Sequence, residues 1–195
     1  MRWIYLVGFT CLLLGCAPHT HTPASLTTPE YHKEEIIYRY AFNMTKPLQQ
    51  VSLEYRDETL LCRLLPKELN IELNIVNLSE EPFSINWNDV RLIDPEGVSH
   101  PILHDMVILS DVRRENLPSL ILPQGVLDES VAPIENVALE FSGWTQKPLF
   151  PKTEEAMNLK GSTFGVSLPV KQEDETRNYL FEFQVTEVFR VVLVN

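Results

Sequence analysis

From Ile36 onward, apolar and polar residues alternate along the chain. Ile36, Tyr38, Tyr40 and Phe42 fall on one face of an extended segment. Val51, Leu53 and Tyr55 fall opposite Gln50, Ser52 and Glu54. In LNIELNIVN, Leu69, Ile71, Leu73 and Ile75 face one way, and Asn70, Glu72 and Asn74 the other. Phe83, Ile85 and Trp87 repeat the pattern. So do Val137, Leu139 and Phe141, then Phe164, Val166 and Leu168, then Tyr179, Phe181, Phe183 and Val185. Successive side chains of a strand point to opposite faces, so such a segment buries one face and wets the other. Helical spacing is scarce: HDMVILSDVRREN and KTEEAMNLKG each have room for a turn or two of helix.

The breaks between these segments are turn chemistry. Asp94-Pro95-Glu96-Gly97 matches a type I turn, with Asp first, Pro second and Gly last, and predicts a hairpin joining DVRLI to VSHPIL. SEEP before Phe83 and QEDET before Arg177 are polar interruptions of apolar runs. Many short strands with turn signals between them predict an all-β domain, a sandwich or a barrel. There is no internal repeat.

The start of the chain follows a different rule. One cation, Arg2, precedes an apolar run over residues 3–15. That run is shorter than the roughly 20 residues of a membrane-spanning helix. A positive start, an apolar core and a small-residue exit mark an export signal. The exit, Leu13-Leu14-Gly15-Cys16, resembles the lipobox of bacterial lipoproteins. Leu14 stands where a small residue is commoner in that family. The resemblance implies that Cys16 is acylated and becomes the first residue of the mature chain, because two or more acyl chains hold a protein stably on a bilayer. The neighbour Ala17, in place of an aspartate, resembles the outer-membrane sorting pattern. Residues 17–33, APHTHTPASLTTPEYHK, are rich in Pro, Thr and Ser and read as a flexible tether, with His19, His21 and His32 solvated in it. This gives a signal peptide at 1–15, a lipidated cysteine and tether at 16–33 and a β-domain at 34–195.

Composition narrows the partners. The chain carries a formal net charge of −11, which repels nucleic acid and anionic lipid head groups. Nucleic-acid binding is therefore not expected, and the membrane is reached through the acyl chains on Cys16. Cys11 leaves with the signal and Cys16 takes the lipid, so Cys62 has no partner for an internal disulfide. It sits in the apolar run TLLCRLL and is expected to be buried, with Arg63 on the opposite face.

Chemistry-bearing motifs are weak. His100 and His104 form H-x-x-x-H, which on a helix would put two ligands on one face. Pro101 and the preceding hairpin place them on a strand, where the two rings start roughly 13 Å apart. A polar rim or partner-facing loop is the expected role, and no metal is predicted. Glu80-Glu81, Glu154-Glu155 and Glu173-Asp174-Glu175 lie in turns, unlike the convergent carboxylates of an acid–base site. FGVSLP and EFSGW both miss the nucleophile-elbow spacing. Neither a cofactor nor catalysis is expected.

Leu69, Ile71, Leu73, Ile75 and Asn77, then Pro82, Phe83, Ile85 and Trp87, then LID, EG and His100 follow an order that resembles the immunoglobulin-like domains of many exported bacterial proteins. LPQG, VAP, Trp144, LPV and YLFEFQV extend the likeness toward the C-terminus. The resemblance implies an immunoglobulin-like antiparallel β-sandwich and says little about function. Trp87 and Trp144 are most simply core residues, and a tryptophan lining a binding groove is the alternative. Two loops look long for such a domain, 103–119 and 146–160, and loops on a rigid scaffold are where binding residues concentrate. Arg113, Arg114 and Trp144 are therefore the candidate binding residues. The resulting expectation is a lipid-anchored envelope protein, at the outer membrane facing the periplasm. It would act as a non-catalytic interaction or scaffold module toward an envelope protein partner. The alternative is a periplasmic small-ligand or metal-binding lipoprotein.

Overall fold

The computed structural model describes residues 34–104, 117–141 and 143–194. The signal peptide, Cys16 and the tether lie outside the described residues. In chain order the strands are β1 (Glu34–Lys46), β2 (Glu54–Arg56), β3 (Leu60–Pro66), β4 (Ile71–Asn77), β5 (Phe83–Ile85), β6 (Arg91–Ile93) and β7 (Ser99–His104). They continue with β8 (Ser119–Ile121), β9 (Val126–Pro133), β10 (Val137–Glu140), β11 (Gly143–Gln146), β12 (Thr163–Gln172) and β13 (Glu175–Val194). Short 3-10 turns occupy Ile134–Asn136 and Glu154–Leu159. The second of these falls within KTEEAMNLKG, where a helical turn was expected. Residues 105–116, which hold most of the other helical candidate, lie outside the described residues.

The domain is an antiparallel, all-β sandwich made by one curled sheet. Its strands run β1-β13-β12-β6-β7-β9-β4-β3-β2, with β5 and β8 attached beside β12. The curl happens at β7. Ser99, His100 and Pro101 pair with β6, and Ile102, Leu103 and His104 pair with β9. One strand thus leaves the first layer and enters the second. The far ends of the sheet then face each other: the Tyr55 ring of β2 lies 6.0 Å from Tyr179 and 5.8 Å from Phe181 of β13.

The alternation places the core where the sequence puts it. Ile71, Leu73 and Ile75 of β4 are buried from one side, and Phe164, Val166 and Leu168 of β12 from the other. Phe83, Ile85, Trp87, Tyr179, Phe181, Phe183 and Val185 join them. Fully burying one such apolar side chain contributes about 1.5–3 kcal/mol. Cys62 is wholly buried, its neighbour Arg63 is exposed, and burial pushes the Cys62 thiol far up from its usual pKa. A deprotonated, reactive cysteine needs the opposite environment. The turn at Asp94 forms as expected: Gly97 N–H donates to Asp94 O at 3.0 Å, and Gly97 takes the positive φ of +81° that glycine accepts without strain.

Three expectations fail here. Val51, Leu53 and Tyr55 do not share a long strand, because only Glu54–Arg56 pair with β3, and Val51 is exposed. A local fold of the chain takes that place: Gln50 turns back to bridge Met44 of β1. Val137, Leu139 and Phe141 alternate correctly but do not face the core. Trp144 is not a core residue either. Both belong to a ribbon outside the sandwich.

Candidate functional site

β10 and β11 form a two-stranded ribbon that pairs with no other strand among the described residues. Its register sets Leu139 opposite Trp144 and Glu140 opposite Gly143. Directly opposed residues share a face, so Leu139 and Trp144 lie side by side. The turn between the strands starts at Phe141, and Gly143 carries a φ of +119°, a region open to glycine. Phe141 is fully exposed, Leu139 is 67% exposed and Trp144 is 40% exposed. The tip of the ribbon is therefore an apolar cluster in water. The root is fastened to the sandwich: Gln146 Nε2 donates to Leu69 O at 2.9 Å, Lys147 N to Asn136 O at 2.7 Å, and Leu149 N to Glu68 O at 2.8 Å.

Of the candidate binding residues, Trp144 stands at this tip. Arg113 and Arg114 lie outside the described residues, as does the lipidation residue Cys16. Leu139 and Phe141, which the sequence reading assigned to a core face, are the neighbours Trp144 gains. A usable signal was present. Phe141 precedes Ser-Gly, so its place is in a turn, where a large aromatic residue has nothing to pack against.

The two histidines of H-x-x-x-H go to different layers, because β7 changes partner between them. His100 Nε2 lies 2.8 Å from Asp94 Oδ2, and its Nδ1 faces Glu135 Oε1. Burial opposes charge on Asp94, but the His100 contact and the Val98 amide hold its carboxyl below the usual value. The two carboxylates flank opposite ring nitrogens, so a single cation cannot take all three groups. His104 is buried, not on a rim. It stacks on Trp87 with ring centroids 4.6 Å apart, and its Nδ1 lies 3.5 Å from Glu129 Oε2. Trp87 Nε1 in turn donates to Ser119 Oγ at 2.9 Å. Among the described residues no group of three or more His, Cys, Asp or Glu converges as metal ligands would.

A depression of about 600 Å³ forms an open trough on the outer face of β3, β4 and β9. Arg63 bridges Glu54 and Asn74 across it, and Asn74 donates to Asp128 at 2.6 Å. These are exposed, mutually satisfied polar groups, and paired charges of this kind contribute little each. A smaller pocket of about 290 Å³ lies beside β1, between Tyr38, Tyr40, Phe42 and Phe150. Tyr40 donates its hydroxyl to Pro151 O, and burial pushes its phenol up to about 12. No helix among the described residues is long and apolar enough to cross a membrane. No family model matches the sequence, and searches of curated proteins and of solved structures find no match either.

Proposed function

We propose that this protein is a lipid-anchored lipoprotein of the cell envelope whose β-domain is a non-catalytic protein-interaction module. The observation that carries the reading is the exposed Leu139, Phe141 and Trp144 cluster on a rooted ribbon. Leu139 and Phe141 each forgo up to about 1.5–3 kcal/mol by staying in water. Aromatic residues of this kind are the usual anchors of protein interfaces. A protein is a better match than a lipid surface, because Glu140 flanks the tip and the chain is strongly acidic. The Leu13-Leu14-Gly15-Cys16 sequence supports the anchor, and Ala17 supports an outer-membrane address facing the periplasm.

The test has two arms. A photo-crosslinking amino acid at position 141 or 139, introduced in living cells, should capture one reproducible envelope protein, and Trp144→Ser should abolish the capture. Labelling with an acyl-chain probe should mark the wild type and spare Cys16→Ala, which should also leave the membrane fraction. Crosslinks no stronger than those from position 174 in the turn between β12 and β13 would remove the interaction reading. An unlabelled wild type would remove the anchor.

A further inference from the structure

The first strand of the domain has an unused edge. Among the described residues β1 pairs with β13 and with no other strand. Met44 shows which way its backbone points: Met44 N donates to Gln50 O and Gln50 N to Met44 O, each at 3.0 Å, on the side away from β13. Strand alternation sends the N–H and C=O groups of Phe42, Tyr40, Tyr38 and Ile36 the same way. Among the described residues these four have no backbone partner on that side. The irregularity between Ala41 and Phe42 leaves this row intact, because the extra residue, Thr186, belongs to β13. The row is about 20 Å long.

Natural sheets usually blunt such an edge with a proline, a short strand or a covering loop. The opposite edge of this sheet, β2, is only three residues long. β1 has thirteen residues and no proline. Beside its open edge lies the pocket of Tyr38, Tyr40, Phe42 and Phe150. Phe150 packs at 5.0 Å from Tyr40 and 5.3 Å from Phe42, so the pocket has a fixed aromatic floor. Its lining also includes Arg39, Lys67 and Lys152; Lys152 pairs with Glu68 and Lys67 lies 3.6 Å from Glu72, whereas Arg39 has no carboxylate partner among the described residues. In a chain of net charge −11, Arg39 is thus a cation available to an incoming carboxylate beside the open edge.

We infer that β1 accepts an extended, acidic segment of a partner protein as an added strand. Main-chain hydrogen bonds to Ile36, Tyr38, Tyr40 and Phe42 supply affinity. An apolar side chain of the segment enters the aromatic pocket, and a carboxylate on its other face meets Arg39. This division between backbone pairing and side-chain pockets is the general logic of strand addition. A second copy of this chain is a poorer occupant, because each copy carries the same net charge. The inference rests on the interaction reading and names the chemistry of one of its contacts.

The test uses the purified full chain in detergent micelles. It is titrated with a ten-residue peptide alternating Asp with Val or Phe, and with the same peptide carrying Lys for Asp. The acidic peptide should bind at least about tenfold more tightly. It should slow amide exchange at Ile36, Tyr38, Tyr40 and Phe42 while leaving Ile37, Arg39 and Ala41 unchanged. Methylating the peptide amides that face β1 should weaken binding about tenfold or more, and methylating the alternate set should not. Tyr38→Pro, which removes one outward N–H at an edge that tolerates proline, should weaken it similarly. No binding, no protection at those four amides, or equal effects of both methylation patterns would overturn the proposal. So would protection that rises with protein concentration in the absence of peptide, which would mark a second copy as the occupant. Failure here with the position 141 crosslinks intact removes strand addition alone, whereas loss of those crosslinks removes the interaction reading beneath it.

Discussion

Tyr179 of β13 donates its hydroxyl to Asp57 Oδ2 at 3.0 Å, joining the two layers of the sandwich. Asp57 sits in the turn between β2 and β3, and its side chain is only 9% exposed. Its Oδ1 accepts the amides of Thr59 and Leu60 at 2.8 and 2.9 Å, and Arg177 Nη1 lies 3.2 Å from Oδ2. Burial opposes the charge. The Leu60 and Thr59 amides, the Tyr179 hydroxyl and Arg177 outweigh it and hold the carboxyl below its ordinary value. Burial first and Asp57 second raise the Tyr179 phenol in return.

This arrangement predicts an acid-sensitive clasp. A carboxyl whose pKa is lower in the folded than in the unfolded chain stabilises the fold above its unfolded value. That contribution is lost as pH falls through the folded value. The window therefore lies below about pH 4. Asp57→Ala should lower stability by about 2–4 kcal/mol at pH 7, since it orphans two amides and a buried hydroxyl. Urea unfolding at pH 7 and pH 3 should show the gap to wild type narrowing in acid. The variant keeps the dependence owed to Asp94 and Glu182, whose carboxyls are also held low. An equal gap at both pH values would contradict the assignment.

Asn77 should prove as sensitive. It is wholly buried, and its amide is fully used. Nδ2 donates to Glu81 O and Ile121 O at 2.9 Å each, and Oδ1 accepts from Ser79 N at 2.9 Å and Ser79 Oγ at 2.7 Å. Asn77→Ala should cost about 2–4 kcal/mol, and Asn77→Asp at least as much, because a carboxylate would meet two carbonyl oxygens. Thermal unfolding measures both. A change within about 0.5 kcal/mol, typical of surface sites, would show that the side chain ties nothing.

Gly165 is required by space. A Cβ there would lie 2.4 Å from Phe181 O on the paired strand. The obstacle is backbone and cannot swing aside, so Gly165→Ala should lose about 1–3 kcal/mol in denaturant unfolding. Unchanged stability would mean that β12 and β13 are less closely paired than described.

Trp87 and Trp144 should be separable by fluorescence. Trp87 is wholly buried and Trp144 is 40% exposed. In a chain beginning at Cys16, Trp144→Phe should remove most iodide-quenchable emission and shift the remainder to shorter wavelength. Stability should change by no more than about 0.5 kcal/mol. Loss of the quenchable component on Trp87→Phe instead would reverse the two assignments.

The alternation in LNIELNIVN and YLFEFQV was enough to name buried residues such as Ile71, Ile75, Phe181 and Phe183, and the four residues from Asp94 were enough to place a turn. These are properties of neighbouring residues, and the geometry of a strand or a turn is local. The same alternation in Val137, Leu139 and Phe141 reads identically and ends in water. Side-chain period states that two faces differ, but a core face also needs a second layer to lie against. For β10 and β11 no such layer exists among the described residues.

What the sequence determined by itself is the class of structure: strands, their faces, the turn at Asp94 and the burial of Cys62. Tertiary structure alone decided which strands meet. His100 and His104 share a strand and a motif, yet β7 changes partner between Pro101 and Ile102 and delivers them to separate layers. Asp57 and Tyr179 stand far apart in the chain and are hydrogen-bonded, because the curl of the sheet brings its two ends together. The open edge of β1 and the exposed Trp144 have the same origin. Each depends on a neighbour that long-range pairing supplies or withholds, and local sequence carries no record of that choice.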